Sequence, residues 1–343
     1  MFIIAEANDG LYIQLHNHSS YRHQAHLGLV HGRCTMRYRK APDNYEDWLK
    51  DRKEHPSIGA SQAASVLGVN PWQSKVDIWD DIVYGGNPIE DNLAMRLGRD
   101  LEPILRKLFM EQTGLTVKQD NKIRIHEDYD FLTCNLDGMV VGEKVPVEYK
   151  TSAQPWDGEI PDHYFVQLQH QMMVTESPYI YYASLSLGFN KQLIIEKYER
   201  DDKFISDMKR DLISFWKDHV LTKVPPEPES LEDARKIFYN VDPDSIKVAD
   251  ESLYYICRNL QTLNENKLEI DNNIKDAKLE LMKALGNKEL LEYNGTTLVT
   301  WRKSKDHSYF DRTKFKTENP DLYSKYTNNR NGSRRFILKK MEV

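Results

Sequence analysis

Apolar residues recur at three- and four-residue steps in some stretches and at alternate positions in others, and these two periods divide the chain into helices and strands. A helix is expected from Tyr45 through Trp48 and Leu49 to Arg52. Ala63, Ala64 and Leu67 give an apolar face to a short helix with Ser61 as N-cap and Gly68 as stop. After the turn Asn70-Pro71-Trp72, Ser74 caps another short helix through Ile78 and Trp79. Leu93, Leu97, Leu101, Leu105 and Leu108 line a helix over 92–113, which Pro103 is expected to kink or reset. Glu102 stands just before that break, beside the apolar stripe.

Strands are expected at 117–125, 179–187 and 193–198. Between the first two, residues 163–175 have a helical pattern carrying Gln167, Gln169 and Gln171. A helix over 201–220 has a stripe of Phe204, Met208, Leu212, Phe215 and Trp216. Pro225-Pro226-Glu227-Pro228 marks a boundary. Beyond it, Leu253, Ile256, Leu260, Leu263, Ile270, Ile274, Leu281 and Leu285 form one long amphipathic helix or a helical hairpin ending at Gly286. Tyr293-Asn294-Gly295 turns into a strand over 296–301, with which 335–339 can pair. The expected organisation is an N-terminal extension (1–40), an α/β core (41–228), a linker with an amphipathic helical segment (229–288) and a basic aromatic module (289–343).

The stretch 137–150 carries the chemistry. A two-residue loop at Gly142-Glu143 with glycine first makes a tight hairpin. Val145, Val147 and Tyr149 alternate with Pro146, Glu148 and Lys150, so Glu148 and Lys150 share a face. Pairing Val141 with Lys144 brings Asp137 opposite Glu148, where Cβ atoms sit about 4.5–5.5 Å apart. Two carboxylates that close call for a cation between them, and oxygen ligands suit Mg²⁺ or Mn²⁺. The backbone carbonyl of Tyr149 can add a neutral oxygen. Lys150 can hold an attacking water or stabilise charge on a phosphate, which suits phosphodiester hydrolysis. A cross-strand salt-bridge face is the plainer reading of the same spacing.

Charge and cysteines narrow the setting. The 343 residues carry a net charge of −6, but twelve Lys/Arg against five Asp/Glu make 293–343 basic. Aromatic residues interleave with those cations, including Trp301, Tyr309, Phe310 and Phe336. Such a tail suits a nucleic acid, or packing on an acidic body. No run of about 18 apolar residues predicts a membrane span, and the apolar start at 1–5 is too short for a signal peptide. Cys34, Cys134 and Cys257 are far apart, form no metal-spaced pair and fit a reducing compartment. Leu15-His16-Asn17-His18-Ser19 resembles the opening of polymerase-and-histidinol-phosphatase metal sites, but the further His and Asp clusters of that fold are missing, which leaves an extension with incidental histidines.

The order of motifs resembles the YqaJ-type viral recombinases, the lambda exonuclease group of the PD-(D/E)xK nucleases. The matching pieces are Trp48-x-x-x-Arg52, Ile58-Gly59-Ala60-Ser61, Leu67-Gly68-Val69-Asn70-Pro71-Trp72 and Gly98-Arg99-Asp100-Leu101-Glu102-Pro103. Asn135-Leu136-Asp137-Gly138, Glu148-Tyr149-Lys150 and Gln167-Leu168-Gln169-His170-Gln171-Met172 follow. The match spans about 45–220, and Leu136 stands where the family often has proline.

The resemblance implies an α/β restriction-endonuclease-like core, with a mixed central sheet between helices, followed by the long helix and a small β module. It implies that Asp137 and Glu148 bind Mg²⁺, as one or two ions per site, and that Lys150 positions the water. Glu102 would orient that water or touch the metal shell. Gln169 would hold the site together from its helix, with Gln167 as second candidate. Arg52 and Ser61 would grip the 5′-terminal phosphate. A second ion would need Glu127, Asp128 or Asp130. The implied activity is 5′→3′ degradation of linear double-stranded DNA, leaving 3′ single strands for recombination. The implied assembly is a trimeric ring working with a phage single-strand annealing protein, encoded by a phage or prophage and acting in the bacterial cytoplasm. Iron–sulfur relatives of the superfamily need four cysteines, which this chain lacks. A structure- or sequence-specific endonuclease, a non-catalytic DNA-end binder and an interaction protein assembled through 250–286 are the rivals.

Overall fold

In the computed structural model, the described residues are 37–42, 44–85, 92–154, 157–188, 191–242, 244–329 and 332–339. The histidine motif at 15–19, the apolar start at 1–5 and Cys34 lie outside them. The chain divides into two units, 1–237 and 238–343.

The first unit is built on a six-stranded mixed sheet in sequential order. Its strands are β1 (Arg37–Lys40), β2 (Val117–Ile125), β3 (Thr133–Val140), β4 (Pro146–Ser152), β5 (Tyr179–Ser186) and β6 (Gln192–Glu199). All neighbours are antiparallel except β4 and β5, which run parallel. That pair needs a crossover, and the helix α5 (Asp162–Thr175) supplies it. Earlier in the chain come α1 (Tyr45–Glu54), α2 (Ala60–Val66), α3 (Lys75–Tyr84) and α4 (Leu93–Thr113). Later come α6 (Asp202–Phe215), continued by a π-turn over Trp216–Val220, and α7 (Leu231–Ile237).

Helices cover both faces of the sheet. On one, residues of α2, α3, α5 and α6 make a core around Leu168, Met172, Ile180, Tyr182 and Leu212. On the other, Leu105 and Phe109 of α4 pack against Val147, Tyr149 and Ala183. Of the expected leucine stripe in α4 Leu105 is buried, Leu101 and Leu108 are half-buried, and Leu93 and Leu97 are exposed. Pro103 neither stops nor resets α4, which runs unbroken to Thr113. Burial of Leu105 and Phe109 holds the turns beyond it, offsetting the lost backbone hydrogen bond.

Two terminal assignments differ from expectation. Residues 37–40, placed in the N-terminal extension, form the edge strand β1. It is held by the Arg37 Nη1 bond to the Glu127 carbonyl (2.9 Å) and by paired Arg39–Asp51 bonds of 3.0 Å. The N-cap of α2 is Gly59 rather than Ser61. Gln62 Oε1 accepts the Gly59 N–H at 2.8 Å, and the helix therefore starts before Ser61, whose side chain is exposed. Ser74 caps α3 as expected. The first unit continues past the proline cluster because α7 is tied back to α3: Asp233 Oδ1 accepts from Ser74 Oγ at 2.6 Å, and Lys236 pairs with Asp77.

The second unit contains a single 35-residue helix, α8 (Glu251–Leu285), not a helical hairpin. The strand β8 (Thr296–Thr300) pairs with β7 (Leu290–Tyr293), which immediately precedes the Asn294-Gly295 turn, and not with 335–339. The short helices α9 (Arg312–Glu318) and α10 (Pro320–Lys325) follow. Among the described residues no helix is long and apolar enough to cross a membrane.

Candidate active site

The hairpin of β3 and β4 adopts the expected register. Gly138 faces Val147 and Met139 faces Pro146, so Asp137 and Glu148 are the next pair along. Regular pairing stops there, because Asp137 turns its carboxylate on the backbone: Oδ2 accepts the Tyr149 N–H at 2.8 Å. Gly142 sits in the turn at φ 93°, as a glycine-first loop requires. Gly138 has a different reason to be glycine. A Cβ there would lie 2.5 Å from Val117 Cγ1 on the neighbouring strand.

Alternation along β4 sends Val147 and Tyr149 into the α4 core and Glu148 and Lys150 toward α5. Glu148 is buried, at 3% exposure, and three side chains donate to it. Gln167 Nε2 reaches Oε1 at 2.6 Å, Gln171 Nε2 reaches Oε2 at 2.6 Å, and Lys150 Nζ bonds Oε1. Gln171 also donates to the Asn135 carbonyl at 3.2 Å, which ties α5 to β3. The Lys150 ammonium lies 5.0 Å from the centre of the Tyr164 ring.

These contacts divide the three glutamines. Gln167 and Gln171 are one turn apart and share a face of α5; Gln169 points elsewhere. Gln169 is fully buried. Its Nε2 donates to the Glu199 carbonyl and its Oε1 accepts from the Asp201 N–H, both at 3.0 Å, so it fastens α5 to the junction of β6 and α6. The structure does not bring it to the carboxylates. Gln171 takes the place expected of it, and the four-residue step from Gln167 was the signal that pointed there.

The electrostatics follow from burial and crowding. Burial first, and then the Glu148 carboxylate, hold Asp137 well above the usual carboxylate range. Burial opposes the charge on Lys150, but Glu148 and Asp137 outweigh it and raise the ammonium above its ordinary value. Glu102, on α4, feels the same charges: burial and then Glu148 raise its carboxyl, and Arg106, one turn further on, pulls it back. Arg106 also approaches the Asp137 carbonyl, with Nη2 at 3.4 Å. The sequence reading missed Arg106, although its four-residue step from Glu102 places both on one helix face.

The expected second-ion ligands do not reach the site. Glu127, Asp128 and Asp130 lie on the β2–β3 loop, before Thr133. Asp137 is four strand steps beyond Thr133, roughly 13 Å at about 3.3 Å per residue. Asp130 is paired there with Arg37 at 2.7 Å, and the Asp128 N–H donates to His126 Nδ1 at 3.1 Å. Among the described residues no three His, Cys, Asp or Glu side chains gather as a metal-holding group. Asp137 and Glu148 are the two carboxylates that the hairpin brings together. That pair fits Mg²⁺, which keeps several waters and often takes one or two protein carboxylates.

Arg52 is tied to the start of α2 through Asp81 and Gln62, the neighbour of Ser61. Arg52 lies 4.6 Å from the centre of the Trp48 ring and pairs with Asp81 of α3. Asp81 also accepts from Gln62 Nε2 at 3.4 Å, next to Ser61. A guanidinium and an exposed hydroxyl thus lie on adjoining elements.

Residues 47–178 match the family model described as the YqaJ-like viral recombinase domain. The uncharacterized protein YqaJ of Bacillus subtilis (strain 168) is 30% identical over 302 residues, covering 82% of this chain and 90% of its own length. Among solved structures, the alkaline exonuclease LHK-Exo from Laribacter hongkongensis is 23% identical, with 52% of this chain and 94% of that chain covered and a TM-score of 0.45. A phage-related exonuclease from Haemophilus somnus 129PT is 17% identical, with 49% and 96% covered and a TM-score of 0.40. The domain match and the relationship to YqaJ along nine-tenths of that protein show that the chain belongs to the YqaJ-like viral recombinase family.

Proposed function

We propose that the protein is a Mg²⁺-dependent deoxyribonuclease that degrades linear double-stranded DNA from its ends in the 5′→3′ direction, leaving 3′ single strands for phage-type recombination. One observation carries the reading: Asp137, Glu148 and Lys150 converge on one hairpin, with two glutamine amides fixing Glu148. A surface salt-bridge face has no need of buried amide donors. An ionised carboxylate offers about four lone-pair sites. Three are used on Glu148, and Oε2 keeps one for a further ligand. Burial and then the Glu148 charge raise the Asp137 carboxyl, and a bound cation would offset both.

A bound Mg²⁺, or Mn²⁺ in its place, supplies acidification of water and charge stabilisation on a phosphate oxygen. The remaining tasks fall to the chain. Lys150, held charged against Glu148, donates to the attacking water and to the phosphate as its charge builds. Gln167 and Gln171 fix the Glu148 carboxylate so that it does not reorient during turnover. Glu102 orients the water from the α4 side. Arg52 and Ser61 receive the 5′-phosphate, which competes with Asp81 for the guanidinium. The reading takes one ion per site, since Glu127 and Asp128 stand apart from Asp137. A ring of three copies around the duplex, a phage annealing protein as partner and the cytoplasm of a bacterial host complete the proposal.

End-labelled duplexes test it. Linear DNA with a 5′-phosphate should be degraded in Mg²⁺, with 5′-label released first, while EDTA and closed circular DNA give no products. Cutting of the circle would show an endonuclease instead. DNA bound but never cut, in Mg²⁺ or Mn²⁺, would show an end binder.

A further inference from the structure

Trp72 has the environment of a binding residue and not of a core residue. It is 71% exposed, although it belongs to the well-packed first unit. The turn that carries it is fixed by two bonds: the Trp72 N–H donates to Asn70 Oδ1 at 2.9 Å, and Asn70 Nδ2 donates to Ser65 Oγ on α2 at 3.0 Å. The indole is therefore presented to solvent by a rigid support, which limits the entropy lost when a ligand lands on it.

Its one ring neighbour among the described residues is His163 at the start of α5. The two centroids are 4.8 Å apart and the planes meet at 83°, an edge contact that leaves most of the indole uncovered. His163 in turn lies 4.2 Å from Tyr164, whose ring is 5.0 Å from Lys150 Nζ. His163 also feels the Lys150 charge. Trp72 is thus linked to the reactive lysine through two neighbouring rings of α5. Successive nucleotides advance about 3.4 Å along a strand, so this chain of contacts spans only a few nucleotides.

We propose that Trp72 is a base-stacking platform for the DNA strand at the active site, holding a base within a few nucleotides of the bond that is cut. This rests on the nuclease reading and deepens it. A base, not a phosphate or a protein side chain, is the ligand because the offered surface is a broad aromatic face beside a cationic site built for the backbone. Stacking accepts every base, as suits a degradative enzyme. The frayed end of a duplex is the natural occupant, because an unpaired base can leave the stack and lay a face on the indole.

A two-by-two comparison tests this. Linear 5′-phosphorylated duplexes carry either natural nucleotides or abasic residues at the first three positions of each strand. The full-length wild type and Trp72→Ala act on both, with Trp72→Phe as the conservative control and thermal melting as the check on folding. The abasic ends should raise KM for the wild type by about 5- to 100-fold. Trp72→Ala should raise KM on natural ends by a similar factor and lose little more on abasic ends. Trp72→Phe should recover most of the loss. Independent, multiplying effects of the substitution and the abasic ends would overturn the proposal, as would no effect of Trp72→Ala on natural ends. If the wild type cuts neither duplex, the nuclease reading has failed. The same comparison is then made on binding affinity, where absence of coupling between Trp72 and the bases overturns the stacking platform separately.

Discussion

Replacing Gln171 by leucine separates a glutamine that shapes the site from one that braces the fold. Among the described residues Gln171 alone donates to Glu148 Oε2, at 2.6 Å, and its second bond reaches the Asn135 carbonyl. A hydrogen bond to a charged group contributes about 1.5–3 kcal/mol. If that bond fixes the carboxylate for Mg²⁺, its loss should raise the Mg²⁺ concentration for half-maximal degradation by about 10- to 100-fold. Most of the rate should return at saturating Mg²⁺, since Lys150 and Gln167 still hold Oε1. The change also leaves Glu148 Oε2 and the Asn135 carbonyl without this donor, which lowers melting temperature too, so the Mg²⁺ midpoint is the readout that separates the two glutamines. Gln169→Leu is the counterpart. It breaks the bonds to Glu199 and Asp201 and should lower melting temperature while leaving the Mg²⁺ midpoint unchanged. The assay is a Mg²⁺ titration of nucleotide release from linear duplex, with thermal melting in parallel. An unchanged midpoint for Gln171→Leu, or a shifted one for Gln169→Leu, would refute the assignment.

Three further outcomes follow from the same geometry. Gly138→Ala drives a Cβ against Val117 and should cost about 1–3 kcal/mol of stability in a denaturant melt, with Val117→Ala restoring part of it. His170, fully buried, has its pKa lowered by burial to about 3 and stays neutral in the fold. The unfolded chain binds that proton near pH 6.5, so stability present above this value should fall as pH drops toward 3, by up to about 1.4 kcal/mol per unit; His170→Phe should flatten the slope of melting temperature against pH. Arg52→Ala should reduce the advantage of 5′-phosphorylated over 5′-hydroxyl ends by about tenfold, a pair of charged hydrogen bonds being at stake, with nucleotide release from 5′-hydroxyl ends at saturating DNA little altered.

The hairpin was the most legible part of the chain, for a physical reason. A glycine-first loop fixes register, and register fixes which side chains oppose each other. Asp137, Glu148 and Lys150 therefore sit where the spacing put them. The helices were legible in extent but less so in their faces. Three glutamines two apart look equivalent in a sequence, yet the helical period sets Gln169 away from Gln167 and Gln171, and applying the period would have shown it. Arg106 could have been found by the same rule. The strand β1 was hidden because Arg37–Lys40 is an edge strand of mostly charged residues, with no apolar alternation to read. The loop carboxylates Glu127 and Asp128 were close to Asp137 in sequence but remote in space, because an extended strand converts each intervening residue into more than 3 Å.

The most direct test of the account is the turnover of 5′-phosphorylated linear duplex in Mg²⁺ by the wild type beside Lys150→Ala, both confirmed to be folded. The site predicts steady nucleotide release by the wild type, a fall of at least about 100-fold for Lys150→Ala from the lost electrostatic stabilisation, and DNA binding retained by the variant. Equal rates for the two proteins, or no release by the wild type, would contradict it.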